Sequence, residues 1–217
     1  MPRAASYRSI AAPSEGFLKD RGSKFYAYAA PVADKAALEA HLSAVRQRHP
    51  KARHHCYAYR LGTDGNDYRA NDDGEPSGTA GRPILGQLDS FGVTKVCVVV
   101  VRYFGGTLLG ASGLIRAYRG AAADALRAAD IVEHTVCAIY RISFDYTRMS
   151  AMMSALDRIG ARRVDQDFGE RGQVDVALPI DEAAATLHRL KAYLLGREPS
   201  DSAAIGEVDG VEIEVRE

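Results

Sequence analysis

The chain has 217 residues, with 28 basic and 28 acidic side chains, and its hydrophobic fraction of 47% is that of an ordinary globular protein. This composition excludes a disordered or fibrous chain. The longest apolar run near the middle, Val96–Val101, is far shorter than the roughly 20 residues that span a bilayer, and no apolar segment follows the first basic residues. We therefore expect no membrane span, no secretory signal and a cytoplasmic location. Three widely spaced cysteines, Cys56, Cys97 and Cys137, predict reduced, buried thiols.

Charge is distributed unevenly along the chain. Residues 1–137 hold 18 Lys and Arg against 13 Asp and Glu, a net charge of +5, whereas residues 138–217 hold 10 against 15, a net charge of −5. No acid occurs between Glu39 and Asp64. That stretch carries the basic residues Arg46, Arg48, Lys51, Arg53 and Arg60 and the histidines His49, His54 and His55. The asymmetry indicates that the two halves have different functions, with the basic surface in the first.

Apolar spacing and turn residues predict seven elements in the N-terminal half. They are a strand over 24–32, a helix from its N-cap Asp34 to about 49, a strand over 54–61, a return strand over 68–71, a helix from 79 to about 89, a strand over 94–103 and a helix from about 112 to 129. The strand over 94–103 lacks polar alternation, so we expect it to be buried on both faces. Alternation puts His54 and Cys56 on one face of their strand, and His55 and Tyr57 on the other.

The C-terminal half follows a different order. A strand over 131–139 is predicted to cross the boundary between the halves. The elements that follow are a strand over 139–145, a helix over 147–159, strands over 161–168 and 172–179, a helix over 181–195 and a strand near 211–216. This βαββαβ order is that of a ferredoxin-like domain. We therefore predict an α+β protein with two domains, 1–137 and 138–217.

Three carboxylates lie close together in the stretch 72–81, DDGEPSGTAG. Asp72, Asp73 and Glu75 could ligate a hard cation, but the spacing is not that of a calcium loop, and only a Mg²⁺ site of one or two carboxylates remains open. The residue types favour a turn in which Ser77 or Thr79 caps the following helix. We predict no metal and no catalytic residue here.

Two further stretches carry candidate sites. The run from His54 to Cys56 lacks a second ligand pair for zinc, which favours an amphipathic strand. The loop from Gly105 to Gly113 leaves a buried strand and enters a helix, where backbone N–H groups favour an anion. That loop lacks the motifs of a P-loop or a dinucleotide site, so a nucleotide pocket is the weaker alternative to tight helix packing.

The helix after that loop has two distinct faces. Leu114, Tyr118, Ala122 and Ala125 share one face, flanked by Ile115 and Leu126, whereas Arg116, Arg119 and Arg127 lie on the opposite face. A solvated basic face is the usual explanation. Together with the acid-free stretch 40–63, it also fits a surface for RNA or an acidic partner.

Three blocks resemble signatures of the YigZ/IMPACT family: ARHHCYAY at 52–59, DDGEPSGTAG at 72–81 and VRYFGGTLLGASGLIR at 101–116. The resemblance implies an N-terminal domain like the second domain of ribosomal protein S5 and a C-terminal domain like the last domain of elongation factor G. In eukaryotic relatives the family acts in translational control, by binding the activator of a kinase that targets an initiation factor. Lys24 departs from the arginine expected before Phe25, which keeps the charge but loses bidentate geometry.

The sequence thus predicts a non-catalytic cytosolic factor in translation regulation that binds RNA or a translation component through the N-terminal domain. The predicted contact residues are Lys24, Arg53, His54, His55, Arg60, Asp73, Glu75, Ser77, Thr79, Arg82, Arg102, Arg116 and Arg119. The predicted anion-binding loop comprises Gly105, Gly106, Gly110, Ser112 and Gly113. We expect no cofactor, no DNA sequence specificity and no membrane contact. The alternatives are an enzyme for a phosphorylated or nucleotide ligand at that loop, using Asp72, Asp73 or Glu75, and a protein–protein adaptor.

Overall fold

The computed structural model describes residues 5–198 and 206–216. The chain is a mixed α+β protein that divides into two compact units between His134 and Thr135. This division lies three residues before the one expected from the sequence. Each unit has its own sheets and its own hydrophobic core.

The N-terminal unit is built on a five-stranded antiparallel sheet. Its elements are β1 (Ser6–Ile10), β2 (Ser14–Asp20), β3 (Ser23–Pro31), α1 (Lys35–Arg48), β4 (His54–Leu61), β5 (Asp67–Asn71), α2 (Gly81–Phe91), β6 (Val96–Tyr103), α3 (Gly110–Arg127) and β7 (Ile131–Thr135). The strand order is β2-β3-β6-β4-β5, and β1 pairs with β7 in a separate two-stranded sheet. The central strand β6 is buried on both faces, as the unbroken valine run predicted.

Helices cover both faces of the large sheet. On one face, Cys56 and the alternate valines of β6 pack against α2 and α3, and on the other face Tyr57 and Tyr59 pack in the core that includes Leu38 and Leu42 of α1. The alternation predicted for β4 is therefore confirmed. Since burial of one valine or leucine side chain contributes roughly 1.5–3 kcal/mol, these two layers contribute strongly to the stability of the unit.

The structure confirms the predicted start of α1 and corrects several other boundaries. Asp34 is the N-cap of α1, and its Oδ1 accepts from the Ala37 N–H at 2.8 Å. Helices α2 and α3 begin at Gly81 and Gly110 and not at the predicted 79 and 112. The predicted strand over 131–139 is instead two strands with a break at Val136. The carbonyl oxygen of Val136 accepts from the Ile180 N–H, and both residues belong to the second unit.

The C-terminal unit has the predicted βαββαβ order. Its elements are β8 (Cys137–Phe144), a 3-10 turn (Tyr146–Arg148), α4 (Met149–Arg158), β9 (Arg162–Phe168), β10 (Gly172–Pro179), α5 (Ala183–Leu194) and β11 (Val211–Arg216). The antiparallel sheet has the order β11-β8-β10-β9. Ile142 and Phe144 pack with Met152 of α4 and Leu190 of α5 in a separate core.

The predictions for the three thiols are confirmed only in part. Cys56 and Cys97 are buried and free, as predicted, but Cys137 at the start of β8 is exposed, so the prediction that every thiol is buried is wrong. Among the helices in the described part of the chain, none is long and apolar enough to span a bilayer.

Candidate functional site

Two loops of the N-terminal unit meet at one end of the five-stranded sheet. Antiparallel pairing puts Arg102, near the end of β6, between Phe25 of β3 and His54 of β4. The loop over 104–109 leaves β6 at this end of the sheet. The loop over 72–80 leaves β5 at the same end, because Asn71, the last residue of β5, pairs with Tyr57 of β4. Residues far apart in the sequence are thereby brought together.

Asp72 organises the first loop. Its Oδ2 accepts from the Gly78 N–H at 2.8 Å, and its Oδ1 accepts from the N–H groups of Ala80 and Gly81 at 2.9 and 2.8 Å. Partial burial opposes ionisation of this carboxyl, yet the three backbone donors hold its pKa below the usual value. Asp72 therefore caps the N-terminus of α2, although it lies nine residues before the first residue of the helix.

The predicted caps of α2 are wrong. Ser77 is exposed, and the Thr79 hydroxyl donates to the Pro76 carbonyl oxygen at 2.6 Å. The residue at the N-cap position, Ala80, has no side chain that could accept. The loop folds back, so that Asp72, although farther away in the sequence than Ser77 and Thr79, is the residue whose carboxylate accepts from the free N–H groups at the start of α2.

Asp73 ties the same loop to β4. Its Oδ2 accepts from the His55 N–H at 2.7 Å, and its carbonyl oxygen lies 2.9 Å from Nδ1 of His54. The His55 residue is 8% exposed and its Nε2 lies 3.2 Å from the carbonyl oxygen of His49. The His55 ring is therefore engaged inside the fold, and its contact with a partner stays an untested prediction.

A buried ion pair joins the two loops. Nη1 of Arg102 donates to Oε1 of Glu75 at 2.7 Å, and the Tyr118 hydroxyl of α3 donates to the same oxygen at 2.8 Å. The side chains of Arg102 and Glu75 are 8% and 4% exposed. Arg102, which was predicted to contact a partner, is therefore buried, and its charge is neutralised by a carboxylate 27 positions away.

The Cys56 thiol is buried beside this pair and is bonded within the fold. Cys56 donates to the carbonyl oxygen of Asp72 at 2.9 Å, and its Sγ lies 3.3 Å from the hydroxyl oxygen of Tyr118. Burial raises the pKa of the Cys56 thiol and that of the Tyr118 hydroxyl. Both groups stay protonated at neutral pH, and a protonated thiol does not attack. Their arrangement is that of a structural network.

The second loop displays apolar side chains. Phe104 is 59% exposed and Leu108 is 83% exposed, and the residues between them are exposed as well. The guanidinium carbon of Arg102 lies 5.6 Å from the ring centres of both Phe25 and Phe104. Sequence reasoning treated this loop only through its glycines and missed both side chains, although an aromatic residue beside two glycines is a signal that could have been used.

Packing accounts for one glycine of the predicted anion loop. A Cβ on Gly105 would lie 1.9 Å from the carbonyl carbon of Gly22, and the Gly105 N–H donates to the Ser23 hydroxyl at 3.1 Å. Anion binding by the other members of the loop stays a prediction. Those members are Gly106, Gly110, Ser112 and Gly113.

Several exposed cations lie near the loops or on the adjoining helices. Within the described residues, these form no ion pair: Lys19, Arg21, Lys24, Arg53, Arg82, Arg116 and Arg119. Lys19 and Arg21 were missed by sequence reasoning, and Lys19 lies opposite Lys24 across the β2–β3 ladder. Arg60 does not belong to this group. It pairs with Asp89 at 2.6 Å at the other end of β4, and its role in partner binding stays a prediction.

Residues of both α2 and α3, which pack against each other, line a surface groove. It has a volume of about 540 Å³, and Arg82 of α2 and Arg119 of α3 line it together with Ile115. None of its lining residues is acidic. Arg116 lies on the exposed side of α3, whereas Leu114 and Tyr118 are buried, which confirms the faces predicted for this helix.

Comparison with known proteins shows similarity over large parts of the chain. The Impact N-terminal domain model matches residues 21–126. "IMPACT family member YigZ" of Escherichia coli (strain K12) is 35% identical over 188 residues, which are 86% of this chain and 92% of that protein. A crystal structure of a hypothetical protein has 30% identity and a TM-score of 0.69, and the match covers 99% of this chain and 98% of that one.

A further solved structure, of the two-domain translational regulator Yih1, matches 59% of this chain and 49% of its own, at 29% identity. The TM-score of 0.34 is too low to define a shared arrangement.

Proposed function

The chain belongs to the IMPACT family, and from that membership we propose that it is a non-catalytic cytosolic factor in translation regulation that binds RNA through its N-terminal unit. One observation carries the RNA part of the proposal. Arg82 and Arg119 line a groove with no acidic residue, and Arg116 is exposed on the same helix as Arg119; none of the three forms an ion pair among the described residues. Guanidinium groups in such a setting are suited to phosphate oxygens.

The electrostatics of the unit support this proposal. An unpaired surface arginine costs the fold little, whereas neutralisation of a phosphate releases condensed counterions and contributes to RNA affinity. Of the three acids in the adjoining loop, Glu75 is neutralised by Arg102. Asp72 and Asp73 keep their charge, but their oxygens are occupied by backbone N–H donors.

We propose the finer fold assignments on the same basis. A five-stranded antiparallel sheet with helices on both faces supports an N-terminal unit like the second domain of ribosomal protein S5. The βαββαβ order with the strand order fourth, first, third, second supports a ferredoxin-like C-terminal unit. Both assignments rest on topology, so they support RNA binding only by analogy.

The test replaces Arg116 and Arg119 together by Glu. We expect RNA affinity to fall about tenfold or more at low salt, equally for all sequences, because these residues would contact phosphates and not bases. The slope of log K against log salt should become shallower by about 0.7 for each phosphate of a single strand that the variant no longer neutralises. Fluorescence anisotropy with labelled RNA, from low to physiological salt, measures both quantities.

The matched control replaces Arg162 and Arg197, which are exposed in the C-terminal unit, by Glu. This variant has the same change in net charge and should keep wild-type affinity. Equal losses in the two variants would mean that net charge alone, and not this surface, attracts RNA. Absence of binding by the wild type at low salt would contradict the proposal and favour the adaptor role.

The enzyme alternative has less support. It needs carboxylates free to act as bases or ligands, but Asp72, Asp73 and Glu75 are each engaged by protein donors. The geometry of the Gly105–Gly113 loop does not favour the enzyme alternative over RNA binding.

A further inference from the structure

The geometry points to a stacking platform for unpaired bases on the exposed loop over 104–108. We infer that the ring of Phe104 stacks on a base, and that the protein therefore takes single-stranded RNA in preference to duplex. This inference rests on the proposed function and specifies its ligand. The observations that carry it are the exposure of Phe104 and Leu108, the fixed position of the loop and the unpaired cations beside it.

Phe104 is exposed, yet its neighbours restrict its position. On one side the guanidinium of Arg102 lies 5.6 Å from the ring centre, and Arg102 is itself held by Glu75. On the other side Gly105 packs directly on Gly22. A ring that is already positioned loses little conformational entropy when a base stacks on it, so its contribution to affinity is larger than that of a free surface side chain.

The surroundings of the loop fit an RNA strand better than an apolar protein surface. The tip of the β2–β3 hairpin carries Lys19, Arg21 and Lys24 without ion pairs among the described residues, and this tip contacts Gly105 through Gly22. Cations next to an exposed aromatic ring are the combination by which proteins bind single strands, with phosphates on the cations and bases on the ring.

Arg116 extends the basic surface beyond the loop. Its Nη2 would lie 3.9 Å from a Cβ on Gly113, so the guanidinium folds back over the first turn of α3. The hairpin cations and Arg116 would then be available to the phosphates of a strand whose base lies on Phe104. In duplex RNA the bases are stacked on each other and are not available to the ring, and only the phosphate contacts would remain.

The experiment compares a labelled single strand of roughly a dozen uridines with an RNA duplex of the same length at the same salt concentration. A strand of this length is within the usual site size of single-strand binders. Wild type should bind the single strand more tightly than the duplex. Phe104→Ala should weaken single-strand binding about tenfold and change duplex binding less than about twofold, because only the single strand offers a base for stacking. Phe104→Tyr keeps the ring and should retain the preference.

A second variant gives a direct readout of stacking. The chain contains no tryptophan, so Phe104→Trp introduces a unique fluorophore at the platform. We expect oligouridine to quench its emission and the duplex to leave it nearly unchanged. Phe104→Ala is also checked by circular dichroism, and the tryptophan variant decides the question if the alanine variant does not fold.

The outcomes separate this inference from the proposed function. If wild type binds both RNAs equally, or if Phe104→Ala weakens both equally and Phe104→Trp is not quenched, the platform is wrong while RNA binding stands. If wild type binds neither RNA at low salt, the proposed function fails and this inference fails with it. Retained binding to a protein partner in that case would assign the apolar loop to protein docking.

Discussion

Arg102 shows how one buried charge can hold together parts of the chain that are distant in sequence. Its guanidinium binds Glu75 in the first loop and lies against Phe104 in the second, while Tyr118 of α3 shares the Glu75 oxygen. Nε of Arg102 is buried and has no hydrogen-bond partner within the described residues. The pair is therefore costly to bury, and its value lies in fixing the loops as much as in stability.

Removal of one partner should have a large effect. We expect Arg102→Met to lower the free energy of unfolding by about 3–5 kcal/mol, because Glu75 is left as an uncompensated buried charge. The double variant Arg102→Met with Glu75→Gln should recover much of this loss, since the amide oxygen still accepts from Tyr118. Urea unfolding followed by circular dichroism measures both changes. Equal stability of the single and double variants would show that the pair is not coupled.

At the scale of elements, α2 depends on a carboxylate outside the helix. Asp72 satisfies the N–H groups of Ala80 and Gly81 at the helix start, and also that of Gly78 in the loop. The loop over 72–80 and the first turn of α2 are thus one hydrogen-bonded unit. Gly78 of this unit and Arg82 of α2 both line the groove, so the residues that cap α2 adjoin the proposed RNA surface.

Asp72→Ala should destabilise the protein by about 1–3 kcal/mol at neutral pH, because backbone donors lose their acceptor. Asp72→Asn keeps one acceptor oxygen and should lose less. The folded-state pKa of Asp72 lies below the unfolded value of about 3.9. Its charge therefore stabilises the fold above about pH 4, and this contribution is lost as the pH falls through the folded-state pKa.

The difference in unfolding free energy between wild type and Asp72→Asn should therefore shrink below about pH 4. Urea unfolding at neutral pH and near pH 3 checks this, and amide hydrogen exchange at Gly78 and Ala80 reports the loop directly. A difference that is unchanged at the acidic pH would mean that the charge of Asp72 is not what holds the loop.

At the scale of the whole molecule, the two units differ in core, topology and charge. Residues 1–137 carry a net charge of +5 and residues 138–217 a net charge of −5, and each unit has a separate hydrophobic core. A cut between Thr135 and Val136 leaves β7 complete in the first piece. In the second piece, the Val136 carbonyl oxygen keeps its hydrogen bond from the Ile180 N–H.

We expect residues 1–135 and 136–217 to fold separately, because each piece retains its own packing. The first piece should keep the RNA affinity of the full chain, and the second should bind RNA poorly at any salt because of its negative charge. Separate expression, thermal unfolding and anisotropy measure this. An insoluble or non-cooperative first piece would place the boundary elsewhere.

Local patterns in the sequence were enough to predict most elements and the faces they bury. The valine run of β6 predicted a strand buried on both sides, the alternation in β4 separated Cys56 from Tyr57, and Asp34 marked the start of α1. The three motif blocks also identified the family. Periodicity and capping depend on residues a few positions apart, so such features can be recognised without the fold.

Which charged groups are free depends on contacts that form only in the folded chain. Arg60 and Arg102 look alike in sequence to Arg116, yet Asp89 and Glu75 neutralise them while Arg116 forms no ion pair among the described residues. The close contact of Gly105 with Gly22 likewise joins segments that are far apart in the sequence. An ion pair or a backbone contact between distant segments exists only once the sheet has set their register, and no local pattern encodes that distance.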